Sequence, residues 1–184
     1  MESTVLQPHT RTLQHIPRWA IIRTLRQQSV AEHSYYVAIY AAKLADELCL
    51  SKNDKLWCMT EALTHDFEEM VTGDIPSPYR SSFIRNDKEI LSAPHAMHLS
   101  ITRSEPELGD VCKNIIEVAD VFEACMFLAD EFYMGNSTVK DLLSDLMSIL
   151  EAKAVKLGSE IKNTLIDHVN DDRRTRVLSA RGLS

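Results

Sequence analysis

Glycine and proline are scarce, at 5 and 6 of 184 residues. A sandwich or barrel needs many tight turns, so this scarcity excludes the common β architectures and favours helices. None of the four cysteines (Cys49, Cys58, Cys112 and Cys125) belongs to a C-x-x-C pair. All four fall in stretches that read as helical, where a buried free thiol is the ordinary state. No apolar run approaches the roughly 18 residues needed to cross a bilayer, and no secretory leader is visible, so a cytoplasmic protein without a membrane role is expected. Basic residues are also short: 20 Lys and Arg stand against 27 Asp and Glu, for a formal net charge of -7. Binders of nucleic-acid polymers usually carry a basic face, so that class is excluded as well. A small anionic substrate held by a few local arginines and a cation stays open.

What is present is ordinary globular composition, 45% hydrophobic and 26% charged, enough for one domain with one core spanning 1–184. The stretch 4–16 reads as a short helix ended by Pro17. Ser29 followed by Glu32 forms a capping box. The helix it opens carries the stripe Val37, Tyr40, Ala41, Leu44 and Leu48 to about Cys49, and extended backwards that stripe takes in His33. A second helix is expected over 54–71, with Ser51 or Asn53 as cap. Met59, Ala62, Leu63, Asp66 and Met70 would share its face, and Gly73 would stop it. The loop Gly73-Asp74-Ile75-Pro76-Ser77-Pro78 is stiffened by two prolines. Helical sequence continues over 86–103, broken at Pro94, and over 110–134, ended by Gly135-Asn136. Thr138 would cap a helix burying Val139, Leu142, Leu143, Leu146, Ile149 and Leu150. A last helix covers 159–169, so the C-terminal helices occupy 138–169, and a loose basic tail covers 171–184. No strand is expected, and the fold class is an all-α bundle of about six to eight helices.

Within that bundle, His33, the adjacent pair His65-Asp66, and Asp120 lie on three separate inward-facing stretches. Each alone has a plainer reading. An inward His is ordinarily a hydrogen-bonded core residue, a His-Asp pair on a helix is ordinarily solvated, and a lone inward Asp is as readily a cap or an ion-pair partner. Together they make a donor set of two imidazoles and two carboxylates, suited to one divalent transition metal such as Co, Zn or Mn. Such an ion lowers the pKa of water from about 15.7 to roughly 7, the nucleophile a phosphate ester requires. Glu69, four residues after His65 and three after Asp66, would stand one helical turn above both, placed to orient that water or take its proton.

The segments Ala31-Glu32-His33-Ser34, Thr64-His65-Asp66-Phe67-Glu68-Glu69 and Ala119-Asp120 resemble the H…HD…D signature of the HD-domain superfamily. Arg18-Trp19, and the block running from Glu69 through Thr72-Gly73-Asp74 to Pro76 and Pro78, narrow the resemblance to the YfbR-like 5′-deoxynucleotidases and the phage DatZ-type dATP triphosphohydrolases. The recognisable core covers about 18–134. The resemblance implies an HD-type bundle, His33, His65, Asp66 and Asp120 as metal ligands, and Glu69 as the catalytic glutamate. It implies Asp74 as proton donor to the departing 5′ oxygen, Arg18 as a phosphate contact and Trp19 as an aromatic against the sugar. One position departs: where YfbR-like sequences carry Lys three residues before the last Asp, this chain has Glu117. Arg80 is a further candidate phosphate contact, and Trp19, Ile21 and Pro78 would form an apolar slot favouring adenine. The expected activity is hydrolysis of a 2′-deoxynucleotide, with dATP triphosphohydrolase ahead of 5′-deoxynucleotidase; a non-catalytic nucleotide-binding module is the alternative from another class. Small deoxynucleotides are the expected partners, and relatives of this kind form homo-oligomers.

Overall fold

The computed structural model describes residues 8–74 and 108–171. They form a 3-10 helix, Pro8–His15, followed by α1 (Val30–Glu47), α2 (Lys52–Thr64), α3 (Glu69–Thr72), α4 (Leu108–Tyr133), α5 (Lys140–Ala154) and α6 (Ser159–Asn170). Short 3-10 turns at Ser137–Val139 and Val155–Leu157 lead into and out of the packing of α5. No strand occurs among the described residues, and the one isolated bridge there joins Pro17 to Ser29. The protein is all-α, as its composition and periodicity require. None of the described helices is long and apolar enough to cross a membrane.

The helix starts follow local chemistry. Ser29 Oγ accepts from the Glu32 N–H at 3.2 Å, the forward half of the capping box. Ser51 caps α2 in the same way, accepting from the Asp54 N–H. Thr138, the expected cap, does not cap α5, whose start at Val139 has no side-chain cap; Asn136 instead caps the 3-10 turn before it, its side-chain oxygen accepting from both the backbone N–H and the hydroxyl of Thr138. The core then joins Val37, Ala41, Leu44 and Ala45 of α1 to Cys58 and Ala62 of α2, Ile115 and Phe122 of α4, and Leu150 and Leu165 further on. Alanine at the α1–α2 contact lets these two helices approach closely, and α1 packs against both α2 and α4.

Several expectations are corrected. The first segment is a 3-10 helix beginning at Pro8, and 4–7 lie outside the described residues. The second helix does not run unbroken to Val71: it ends at Thr64, and the chain turns through 65–68 before α3. Its inward stripe is Asp54, Cys58 and Ala62, spaced by four, and this leaves Leu63 46% exposed. Ile149 faces outward on α5 for the same reason of phase, since Leu150 takes the inward position. Cys58, Cys112 and Cys125 are buried thiols, but Cys49 is exposed and lies just past α1 with φ 55. The helix expected over 86–103 and the tail beyond Asp171 lie outside the described residues.

A buried carboxylate holds the long connection before α1. Glu131, fully buried on α4, accepts from the Leu25 N–H at 2.5 Å, the Arg26 N–H at 2.9 Å and Asn136 Nδ2 at 3.0 Å. Asn136 Nδ2 also donates to the Arg23 carbonyl at 2.8 Å. Replacing Glu131→Ala strands these donors away from water, so a loss of about 3 kcal/mol in folding stability is expected. Urea unfolding checks it, with a lowered midpoint and an unchanged slope as the expected outcome.

Candidate metal centre

His33 lies on the first turn of α1 and is completely buried. His65 is the residue at which α2 ends, and Asp66 follows it in the turn. That turn is tightened by i→i−3 hydrogen bonds, Glu69 N–H to the Asp66 carbonyl at 3.0 Å and Met70 N–H to the Phe67 carbonyl at 3.1 Å. The tightening turns His65 and Asp66 toward the same point. On an unbroken helix they would diverge by about 100°. Donor atoms of His33, His65 and Asp66 all lie within 4.8 Å of one another. Asp120, on α4, brings Oδ1 to 3.1 Å from His33 Nε2. His33 Nε2 is 3.7 Å from Asp66 Oδ2, and His65 Nε2 is 3.1 Å from the same oxygen.

These contacts are close ion-pair approaches without the geometry of a hydrogen bond at Nε2. The Nε2 atoms of His33 and His65 are buried and make none, although each faces a carboxylate oxygen at 3.1 Å. Two imidazole nitrogens and a carboxylate converging on one point form the donor arrangement of a divalent cation site once His65 gives up its proton, and His33, His65 and Asp66 can hold such an ion. The far sides of both rings are anchored, His65 Nδ1 on the Ala62 carbonyl at 2.7 Å and His33 Nδ1 on Glu123 Oε2 at 2.5 Å. A ring hydrogen-bonded through Nδ1 presents Nε2 as the ligand atom.

Electrostatics in the metal-free cluster tell the same story. Burial pushes the Asp66 carboxyl up, but His65, His33 and Arg18 outweigh it and hold it well below the usual range. Burial likewise raises Asp120, and His33, His65 and Arg18 bring it below its ordinary value. Burial lowers His65, yet Asp66, then Asp120 and the Ala62 carbonyl, raise it from 6.5 to about 9. Two inward carboxylates thus draw a positive charge, and without a metal ion a proton on His65 supplies it.

The remaining candidates are placed unevenly. Glu69 is buried, at 4% exposure, one tight turn beyond Asp66. Arg18 Nη1 is 3.9 Å from Asp66 Oδ2 and 85% shielded, so a cation stands at the edge of the cluster. Trp19 has φ 65, a left-handed conformation that bulky residues rarely adopt. Its ring stacks on Phe127 at 5.6 Å, and its Nε1–H donates to Gln28 Oε1 at 2.9 Å. Ile21 is 65% exposed, and Ile22 instead packs in the cluster with Trp19. Asp74 is half-buried just after Gly73. Pro78 and Arg80 lie outside the described residues. Glu117 pairs with Lys153 at 2.8 Å, and that cation holds its carboxyl below the usual range.

Sequence reasoning missed Glu123 and Gln28. Glu123 is 3% exposed and lies three residues after Asp120, on the same side of α4; Gln28, 2% exposed, immediately precedes the capping Ser29. An acid one turn from a candidate ligand is a usable signal for the first. Nothing local marks the second.

A divalent ion must displace the proton from His65. Its affinity is therefore expected to rise about tenfold per pH unit at neutral pH and to level off near the His65 value of about 9. Calorimetric titration of the metal-free protein with Mn2+ across neutral pH reads this directly, and a flat profile would contradict it.

The HD domain family matches residues 10–156. A 5′-deoxynucleotidase of Photobacterium profundum is 27% identical, over 92% of this chain and 96% of its own. The dATP triphosphohydrolase of cyanophage S-2L is also 27% identical, over 62% of this chain and 64% of its own length, just under two thirds of that enzyme. Among solved structures, the cyanophage S-2L HD phosphohydrolase DatZ, bound to dA and one catalytic Zn2+ ion, has a TM-score of 0.67 at 19% identity. That likeness covers 90% of this chain and 95% of that one.

Proposed function

The chain belongs to the HD-domain family, and from that premise we propose that it is a metal-dependent phosphohydrolase releasing a deoxynucleoside from a 5′-phosphorylated 2′-deoxynucleotide. The observation that carries the reading is the pair of buried, hydrogen-bond-free Nε2 atoms facing Asp66 and Asp120. His33, His65, Asp66 and Asp120 would hold one divalent ion of the Co, Zn or Mn kind. When bound, that ion acidifies water and neutralises phosphate charge.

The other steps belong to side chains of this chain. Glu69, buried next to the Asp66 turn, takes a proton from the attacking water. The water oxygen bonds to the phosphorus that carries O5′, and the P–O5′ bond breaks. Asp74 gives O5′ the proton with which the deoxynucleoside leaves. Arg18, already beside Asp66, binds a phosphate oxygen with the N–H groups the carboxylate does not use. Trp19, fixed by its stack on Phe127, crowds the 2′ position of the sugar. Ile21, Pro78 and Arg80 are the further substrate contacts.

Within this class we favour dATP, with triphosphate leaving whole. Glu117 is engaged by Lys153 and supplies no cation for the second charge of a monophosphate. The competing reading, a 5′-deoxynucleotidase, rests on the nearly full-length similarity to the enzyme from P. profundum.

Incubation with each dNMP and dNTP plus Mn2+ or Co2+, followed by product identification, decides between them. Deoxyadenosine and triphosphate are expected from dATP; inorganic phosphate from dNMPs would establish the competing reading, and no product from any substrate would end both. Asp66→Ala is expected to abolish metal binding and turnover together. Glu69→Ala should keep the metal and lose at least about 100-fold in kcat, and full activity in that variant would remove the proton-transfer role.

A further inference from the structure

Trp19 and His33 are joined by an unbroken chain of hydrogen bonds, partly buried at Trp19 and buried from Gln28 inward. Trp19 Nε1–H donates to Gln28 Oε1 at 2.9 Å, Gln28 Nε2 donates to Glu123 Oε1 at 2.6 Å, and His33 Nδ1 meets Glu123 Oε2 at 2.5 Å. Gln28, Glu123 and His33 are exposed by 2%, 3% and 0%, so the two inner links are shielded from water. The indole sets the direction of the chain as far as Glu123. An indole N–H donates and never accepts. It therefore fixes the Gln28 amide with its oxygen toward Trp19 and its nitrogen toward Glu123. As a carboxylate, Glu123 accepts at both oxygens, and the proton of the second contact then belongs to His33 Nδ1. A neutral imidazole protonated there carries its lone pair on Nε2, the atom that faces Asp120 and Asp66.

We propose that Gln28 and Glu123 are positioning residues that transmit the polarity of the Trp19 indole to His33, fixing the tautomer and aim of that imidazole as a metal ligand. Neither touches the reacting atoms. The inference deepens the metal-hydrolase reading and rests on it for the role of His33. Its consequence is specific: the aromatic at the candidate sugar contact and the candidate metal ligand are coupled through side chains, and a change that removes one proton from Trp19 is felt at the metal. The backbone supports the link, because the Arg18 N–H donates to the Gln28 carbonyl at 2.8 Å and holds the two ends of the connection together.

The test uses the full chain stripped of metal and titrated with Zn2+ by calorimetry. Gln28→Met and Glu123→Gln are expected to lower zinc affinity about tenfold or more, the usual consequence of losing a partner behind a metal-bound His. Trp19→Phe keeps an aromatic ring to stack on Phe127 and removes the N–H together with the five-membered ring that bears it, a milder change than truncation; a fall of about threefold is expected. Combined with Gln28→Met, Trp19→Phe should add nothing, because the chain is already cut. Independent packing effects would add instead, and that result would overturn the proposal. The second readout is the His33 Nδ1–H signal in NMR of the metal-free protein, protected from exchange in the parent chain and exchanging faster in Gln28→Met. Unchanged zinc affinity and unchanged protection in Gln28→Met would also overturn it. A parent chain that binds no zinc defeats the metal reading, and the Nδ1–H protection then decides the relay by itself.

Discussion

Everything around the site is organised by the cost of placing two carboxylates and two imidazoles together, three of them shielded and the fourth, Asp120, open to solvent on one side. An inward negative charge is tolerated only beside a positive one. Asp66 and Asp120 answer this with the protonated His65 and the guanidinium of Arg18. The helices cannot move apart without exposing the α1–α2–α4 core, so the charges are held at close quarters whether or not a cation is bound. A metal ion is the compact solution to that electrostatic problem, and the same ion supplies the reactivity that a phosphate ester demands.

Around this centre the fold uses buried polar side chains where a typical bundle would use apolar ones. The connection from Pro17 to Ser29 has no helix of its own, so its backbone groups need partners from elsewhere. Glu131 and Asn136 take the N–H groups of Leu25 and Arg26 and the carbonyl of Arg23. Gln28 takes the Trp19 indole. These contacts hold the loop that carries Arg18 and Trp19 against α4, the helix that also carries Asp120 and Glu123. One rigid element therefore registers the candidate metal ligand and the candidate substrate loop against each other, and positional accuracy of that kind is what catalysis needs.

The departures from the sequence reading cluster near the site for a physical reason. Periodicity extended the second helix through Asp66 because Met59, Ala62, Leu63, Asp66 and Met70 continue a helical pattern. The structure ends that helix at Thr64 and inserts a tight turn. Nothing local demands the break, since Thr64 through Glu69 contain no glycine or proline; convergence on a point shared with α1 and α4 does. Leu63 and Ile149 were misplaced by a single residue of phase, which packing partners decide and composition does not. Thr138 does not cap α5, and the 3-10 turn before that helix is capped by Asn136, which is also pinned to Glu131 and Arg23 from outside its own turn.

By itself the sequence determined the helical class, most helix starts, the inward stripe of α1 and the identity of four residues fit to bind a cation. Those properties depend on spacing and side-chain chemistry within one segment. Tertiary structure alone decided that His33, His65, Asp66 and Asp120 meet within a few ångströms, that Glu123 stands behind His33, and that Gln28 links it to Trp19. Those relations join residues up to 95 positions apart. They follow from how α1, α2 and α4 pack, and no local pattern encodes the direction of a hydrogen bond between segments so distant.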